Sequence, residues 1–98
     1  MSDVVDSPAE GRLEVAVDGQ VAELLYMVEG DRMTIVHTGV PGPLGGRGLG
    51  GRLVRAAVDR AARDGLTVVP LCPFARRWMR GHPGEIGAVQ VDWADGTS

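Results

Sequence analysis

The sequence predicts a single α+β domain, in which an antiparallel meander of three strands precedes a glycine-rich turn, a helix, a buried strand and a short helix. Two observations predict this class. Apolar side chains alternate with polar ones up to about residue 40, and beyond the turn they recur every three or four residues. The length of 98 residues fits one domain built around one core.

The three N-terminal strands are predicted from alternation and from the turns between them. Arg12–Val17 alternates strictly, and Asp18-Gly19 behind it is a hairpin turn signal. Val21–Glu29 and Arg32–Val40 follow the same pattern. Residues 1–10 are predicted to be a flexible N-terminus, and the domain is expected to cover residues 11–84.

A change of period after the glycine-rich turn predicts the helical half of the domain. A helix is expected from about Gly48 to Asp64, with Gly65 as its stop. Its apolar face is predicted to comprise Gly50, Leu53, Val54, Ala57, Val58 and Ala61. Leu66–Leu71 is a continuous apolar run, which favours a buried strand in parallel pairing. A short helix is expected over Pro73–Arg80. In the tail, residues 85–98, one short strand is possible at 88–93.

Composition excludes several function classes. The net charge of −3 argues against a general nucleic-acid binder. A single cysteine, Cys72, makes neither an internal disulfide nor a thiolate metal cluster, so no metal site is predicted. No apolar run reaches the ~20 residues of a membrane span, and no signal peptide is recognisable, so a cytoplasmic protein is expected.

All ten basic residues are arginine, which reflects either a GC-rich genome or a need for phosphate-binding side chains.

The glycine-rich turn is the strongest candidate binding site. The first amides of a helix have no partner inside it, and the helix dipole adds partial positive charge there. Glycines let a pyrophosphate approach the main chain closely. The amides expected to bind it belong to Gly46, Arg47, Gly48, Leu49, Gly50 and Gly51. A purely structural glycine turn is the alternative, since the dinucleotide fingerprint is not satisfied and the chain has no lysine for a Walker motif.

The order of meander, loop, helix and strand resembles the GCN5-related N-acetyltransferases. Their signature is Arg or Gln, two residues, Gly, one residue, then Gly or Ala. Gly48 and Gly50 match the two small positions, whereas Gly45 stands where Arg or Gln is usual. Arg47 is the residue expected to replace the missing positive charge. The resemblance implies a minimal version of that family's fold.

The resemblance is closer to a small subfamily of minimal acetyltransferase-like proteins, the YjdJ type. It is carried by His37-Thr38-Gly39-Val40-Pro41, by Gly65–Phe74 with its Cys-Pro-Phe ending, and by His82-Pro83. It implies acetyl-CoA bound between splayed strands. The positions expected to bind it are Val40, Gly45, Gly46, Arg47, Gly48, Leu49, Gly50, Gly51, Cys72 and Phe74.

Cys72 and His37 are the candidate catalytic residues. Cys72 stands at the start of the short helix, where the dipole favours a thiolate, so it is either a nucleophile that takes the acetyl group or a small buried side chain beside the pantetheine arm. In a direct mechanism the amine attacks the thioester and a base removes its proton. His37 is the first candidate base and Glu23 the second.

Two functions are consistent with these features. The first is an acetyl-CoA-dependent N-acetyltransferase acting on an unidentified amine, as a monomer or weak homodimer. The second is a non-catalytic CoA-binding or interaction module, favoured by Gly45 and by the lack of an obvious acid–base pair. Arg76 and Arg80, four residues apart on the short helix, either contact a phosphate or face solvent.

Overall fold

A computed structural model describes residues 3–93 of the chain. Its five strands are β1 (Val5–Ser7), β2 (Arg12–Val17), β3 (Gln20–Glu29), β4 (Arg32–Gly39) and β5 (Thr67–Pro70). Its helices are α1 (Leu49–Asp64), α2 (Pro73–Gly81) and α3 (Pro83–Ile86), with single 3-10 turns at Pro8–Glu10 and Gly42–Leu44.

The strands form one mixed sheet in the order β1-β2-β3-β4-β5. The first four are antiparallel to their neighbours, and β5 pairs with β4 in parallel. The α+β class, the meander and the parallel strand predicted from sequence are therefore confirmed. The parallel pairing follows from α1, which carries the chain back across the sheet between β4 and β5.

The core lies between α1 and one face of the sheet. Every residue of the predicted apolar face of α1 is buried. These side chains pack against the inward-facing residues of β2, β3 and β4, which are Leu13, Val15, Ala22, Leu24, Met33 and Ile35. The opposite face carries exposed apolar residues, among them Val21 and Met27. In the described part of the chain, the helices thus cover one face of the sheet. We call the other face of the sheet the open face.

The N-terminus differs from the prediction of a flexible segment. Residues 5–7 form β1, which pairs with β2 in the register Val5↔Glu14. Asp6 accepts hydrogen bonds from the hydroxyl of Tyr26 at 2.5 Å and from the guanidinium of Arg60 at 2.9 Å. The short polar segment is therefore ordered by side chains that lie far from it in sequence.

The C-terminal segment also differs from its prediction. The helix expected to end at His82-Pro83-Gly84 is followed at once by α3. The short strand considered for residues 88–93 is reduced to one isolated bridge between Val91 and Val68. Residues 94–98 of the predicted tail, like residues 1 and 2, lie outside the described residues.

Candidate functional site

The loop between β4 and α1 is held open by alternating backbone conformations. A 3-10 turn at Gly42–Leu44 buries Leu44, which anchors the loop to the core. Beyond it, Gly46 has φ of 82° and Gly48 has φ of 72°, the left-handed region that side chains strongly disfavour. Both glycines are needed for this path, and at neither would a Cβ atom meet anything within 4 Å.

The main-chain amides of this loop are donors without a main-chain acceptor among the described residues. Gly46, Arg47 and Gly48 donate no main-chain hydrogen bond to another described residue, and the first amide to do so is that of Arg52, which bonds the Gly48 carbonyl at 3.1 Å. The amides at the start of α1 have no acceptor inside the helix. A left-handed residue followed by a right-handed one forms a nest that binds anions. The loop therefore suits a phosphate group.

Two aromatic side chains of α2 close the far wall of this loop. A Cβ atom on Gly50 would lie 2.7 Å from Cζ of Phe74, and one on Gly51 would lie 2.5 Å from Nε1 of Trp78. Only glycine at these helical positions allows the rings to approach the α1 backbone so closely. Between loop and rings lies a groove of about 330 Å³, which we call the amide groove.

The amide groove gathers most of the residues that the sequence predicts for coenzyme binding. It is lined by Val40, Leu44, Gly45, Gly46, Gly48, Leu49, Gly50, Gly51, Phe74 and Trp78. Two of these, Leu44 and Trp78, are absent from the sequence prediction. Trp78 follows Phe74 by four residues, so helical spacing places both rings on one face of α2 and could have identified it.

Arg47, expected to compensate for Gly45, is not among the lining residues of the amide groove. Its guanidinium lies 3.1 Å from the carboxylate of Asp18, in the turn between β2 and β3. Both side chains are about half exposed or more. The contact ties the loop to a neighbouring turn, and the polar groups left facing the groove from the loop are main-chain amides.

The sheet opens beside the groove, where β4 and β5 diverge. Their pairing ends at Ile35 and Pro70. The amides of Leu71 and Cys72 both bond the Ile35 carbonyl, at 3.1 and 3.0 Å, and the chain then turns away into α2. Beyond Ile35 the described chain offers β4 no strand partner on this side. The main chain of residues 36–39 therefore borders a gap, which we call the strand gap.

A β-bulge in β4 coincides with this gap. Tyr26 of β3 opposes Ile35, whereas Leu25 opposes His37, so Val36 is one extra residue on β4. A bulge twists its strand and re-aims the side chains that follow. Sequence alternation alone does not indicate it, since Val36 fits the strand pattern on either side.

Cys72 lies at the strand gap on the helix side of the sheet, not among the lining residues of the amide groove. Its Sγ atom is 3.5 Å from Oγ1 of Thr38, and its side chain is buried. Burial alone raises the pKa of this thiol. Hydrogen bonds from Thr38 and from the amides of Ala75 and Phe74 outweigh it, so that the pKa of Cys72 lies below its ordinary value.

His37 is on the other side of the same strand. It opposes Leu25, whereas its neighbour Thr38 opposes the buried Leu24, so successive side chains of β4 point to opposite faces. His37 is exposed on the open face, near Glu23, whose carboxylate is 3.5 Å from Arg12. The structure therefore separates the two candidate catalytic residues: Cys72 faces the helices and His37 faces away from them.

A larger cavity of about 620 Å³ lies at the opposite end of α1, but its chemistry is wrong for a phosphate. Three carboxylate residues, Asp31, Asp59 and Glu85, line it. An anionic ligand would be repelled there.

Residues 3–93 contain no group of three or more His, Cys, Asp or Glu side chains placed to hold a metal ion. None of the helices in this range has the length and apolarity to cross a bilayer.

Comparison with known proteins identifies a family and a similar solved structure. The family model described as GCN5-related N-acetyl-transferase matches residues 12–89. An NMR solution structure of a GCN5-like protein from Staphylococcus aureus has the same fold, with a TM-score of 0.69 and 24% sequence identity, covering 98% of this chain and 96% of that one. No curated protein matches the chain significantly.

Proposed function

Because the chain belongs to the GCN5-related N-acetyltransferase family, we propose that it transfers an acetyl group from acetyl-CoA to an amine. The observation that carries the proposal is the amide groove, whose unpartnered main-chain donors lie beside the strand gap. The groove would bind the diphosphate and part of the pantetheine arm, and acetyl-CoA would supply an activated thioester. We also place the chain in the small YjdJ-type subfamily, on the motifs around His37 and Cys72.

The groove fits a coenzyme of this kind in three respects. Its polar surface from the loop consists of amide donors, which suit a diphosphate. Its wall of Phe74 and Trp78 is apolar, which suits a pantetheine chain. A Cβ atom on Gly50 or Gly51 would collide with these rings, so glycine at both positions lets the rings form this wall against α1.

We assign Cys72 the first acetyl-accepting role. Its thiolate would attack the thioester carbonyl, forming a new C–S bond while the C–S bond to the coenzyme breaks. The coenzyme leaves as a thiolate and takes up the proton that Cys72 lost. Main-chain amides bordering the strand gap would donate to the oxyanion that forms on the carbonyl.

The acceptor amine would then enter through the strand gap to reach acetyl-Cys72 on the helix side of the sheet. The amine nitrogen attacks acetyl-Cys72, a C–N bond forms, the C–S bond breaks, and the Cys72 thiolate is regenerated. His37, exposed on the open face, would accept the proton that the amine loses by way of solvent at the strand gap.

The test is incubation of the pure protein with labelled acetyl-CoA and a panel of amines and peptides. Wild type is expected to transfer label above the protein-free rate, and mass spectrometry should show an acetyl adduct on Cys72 that Cys72→Ala lacks. The chain has no lysine, so side-chain adducts elsewhere do not confuse the measurement. His37→Gln should retain the adduct and lose transfer.

Two outcomes decide the mechanism. Transfer that persists in Cys72→Ala removes Cys72 and leaves direct attack on the thioester. Absence of transfer across the panel, with acetyl-CoA still bound, favours a coenzyme-binding module. That second function has its own support, because His37 and Cys72 lie on opposite faces of the sheet.

A further inference from the structure

A second groove adjoins the amide groove around the first turn of α1. It has a volume of about 260 Å³ and shares Gly48, Gly51 and Trp78 with its neighbour. Its remaining lining comes from Arg52, Arg55, His82 and Glu85. Since the two grooves share three residues, a ligand longer than one groove can continue into the other.

The two grooves differ in charge. The amide groove has no charged side chain among its lining residues, whereas the second groove has two guanidinium groups. Arg52 and Arg55 are three residues apart on α1, so they face the same direction. We call this second space the arginine groove. His82 forms part of its wall, and its ring stacks on that of Trp78 with centroids 4.2 Å apart.

We propose that the arginine groove binds the 3′-phosphate of the adenosine part of coenzyme A, through Arg52 and Arg55. This inference rests on the proposed function, because it extends the same ligand from one groove into the next. Coenzyme A carries an internal diphosphate and a terminal phosphomonoester. Amides that approach closely suit the first, and the planar forks of arginine suit the second, with its higher charge and three free oxygens.

Glu85 sets the strength of this site. Nη1 of Arg55 is 2.6 Å from Oε1 of Glu85, and a weaker contact of 3.9 Å joins Arg55 to Asp59. A phosphate that binds Arg55 must compete with the Glu85 carboxylate and is repelled by it. Removal of that one charge should therefore strengthen phosphate binding.

The arginines of α2 that the sequence suggested for a phosphate are directed elsewhere. Nε of Arg76 donates to the carbonyl of Pro70 at 3.3 Å, and the guanidinium of Arg80 lies over the ring of Trp93 at 4.8 Å. The two arginines of the arginine groove come instead from α1.

The experiment compares coenzyme A with 3′-dephospho-coenzyme A, each titrated calorimetrically into the full chain at low salt. Wild type is expected to bind coenzyme A about tenfold more tightly, the factor equivalent to about 1.4 kcal/mol. The double variant Arg52→Gln/Arg55→Gln should bind both ligands with affinities within about twofold, close to the wild-type affinity for the dephospho form. Glu85→Gln should increase the preference for coenzyme A over 3′-dephospho-coenzyme A. A misfolded variant would not show such an increase.

The matched control is Arg63→Gln, which removes a charge from the other end of α1, where the side chain is 69% exposed. It should leave both affinities unchanged. Equal binding of the two coenzymes by wild type overturns the assignment of the arginine groove but does not contradict coenzyme binding in the amide groove. Failure of both coenzymes to bind overturns the proposed function as well. The wild-type comparison decides the question even if the double variant does not fold.

Discussion

The two ends of α1 use their polar groups in opposite ways. At the C-terminal end, Arg60 bonds Asp6, Tyr26 and Asp64 at 2.7–2.9 Å, so the charges there are paired with one another. At the N-terminal end Arg55 pairs with Glu85, but the loop amides have no main-chain acceptor among the described residues and lie beside glycines and aromatic rings. The first arrangement contributes to stability and orders β1. The second leaves donors free for a ligand.

The largest effect is expected from Gly50→Ala, at the ligand end. The new Cβ atom would lie 2.7 Å from the Phe74 ring, which must shift. We expect a loss of about 1–3 kcal/mol in the free energy of unfolding. Acetyl-CoA affinity should fall by at least about tenfold, because the wall of the amide groove moves. Urea unfolding and calorimetric titration measure the two quantities.

Gly81→Ala is the matched control for Gly50→Ala. Gly81 also lies in a helix, but a Cβ atom there would meet nothing within 4 Å. The substitution should change the free energy of unfolding by less than about 0.5 kcal/mol and leave acetyl-CoA affinity unchanged. If both alanine variants behave alike, close contact between α1 and Phe74 is not what the site depends on.

The second largest effect, a loss of stability, is expected from Arg60→Met at the C-terminal end of α1. The methionine keeps much of the aliphatic bulk but leaves Asp6 with Tyr26 as its remaining partner in the cluster. Hydrogen bonds to charged groups contribute about 1.5–3 kcal/mol, and a loss at the lower end of this range is expected because the side chain is 17% exposed. Acetyl-CoA affinity should not change. A variant with normal stability, or one that loses affinity, would contradict the contrast between the two ends.

Tyr26→Phe should produce a smaller loss at the same end, and one that depends on pH. Burial, then the hydrogen bond to Asp6, raise the pKa of Tyr26 above its ordinary value of 10.0. A raised pKa in the folded state means that the hydroxyl contributes stability below pH 10 and loses that contribution as pH rises through the folded value. Wild type should exceed the variant by about 1 kcal/mol at pH 7, and the difference should shrink above pH 10. A difference independent of pH would contradict this account.

The smallest effect concerns the reactivity of Cys72, the only thiol of the chain. Burial opposes ionisation, but Thr38 and two amides lower the pKa of Cys72 below its ordinary value. The pH profile of alkylation by iodoacetamide, followed by mass spectrometry, should therefore have its midpoint below that of the same chain in urea. Thr38→Val, which removes the hydroxyl, should raise the midpoint. A folded midpoint at or above the unfolded one would show that burial dominates.

Features that depend on neighbours in sequence could be predicted from the sequence. The alternation in Arg12–Val17 and the turn at Asp18-Gly19 are local signals, and the structure confirms that strand and the antiparallel meander. The buried face of α1 follows from residues three and four apart, such as Leu53 and Ala57. The clustering of Gly45, Gly46 and Gly48 in one loop likewise follows from their order.

Features that depend on contacts distant in sequence could not be predicted. β1 is ordered by Arg60, which lies 54 residues from Asp6. The bulge at Val36 depends on the register between two strands. Arg47 is drawn to Asp18, 29 residues away, and Arg55 to Glu85, 30 residues away. In each case the sequence shows a charged or apolar residue of ordinary type, and its partner is decided by the tertiary fold.

The central claim is that main-chain amides at the start of α1 bind acetyl-CoA. Titration of isotope-labelled protein with acetyl-CoA, observed through the amide resonances, tests it residue by residue. The amides of Gly46, Gly48 and Gly50 should shift most, and those of Asp6 and Arg60 at the far end should stay in place. Absence of shifts at millimolar ligand, or shifts centred on the acidic cavity near Asp31, would contradict the claim.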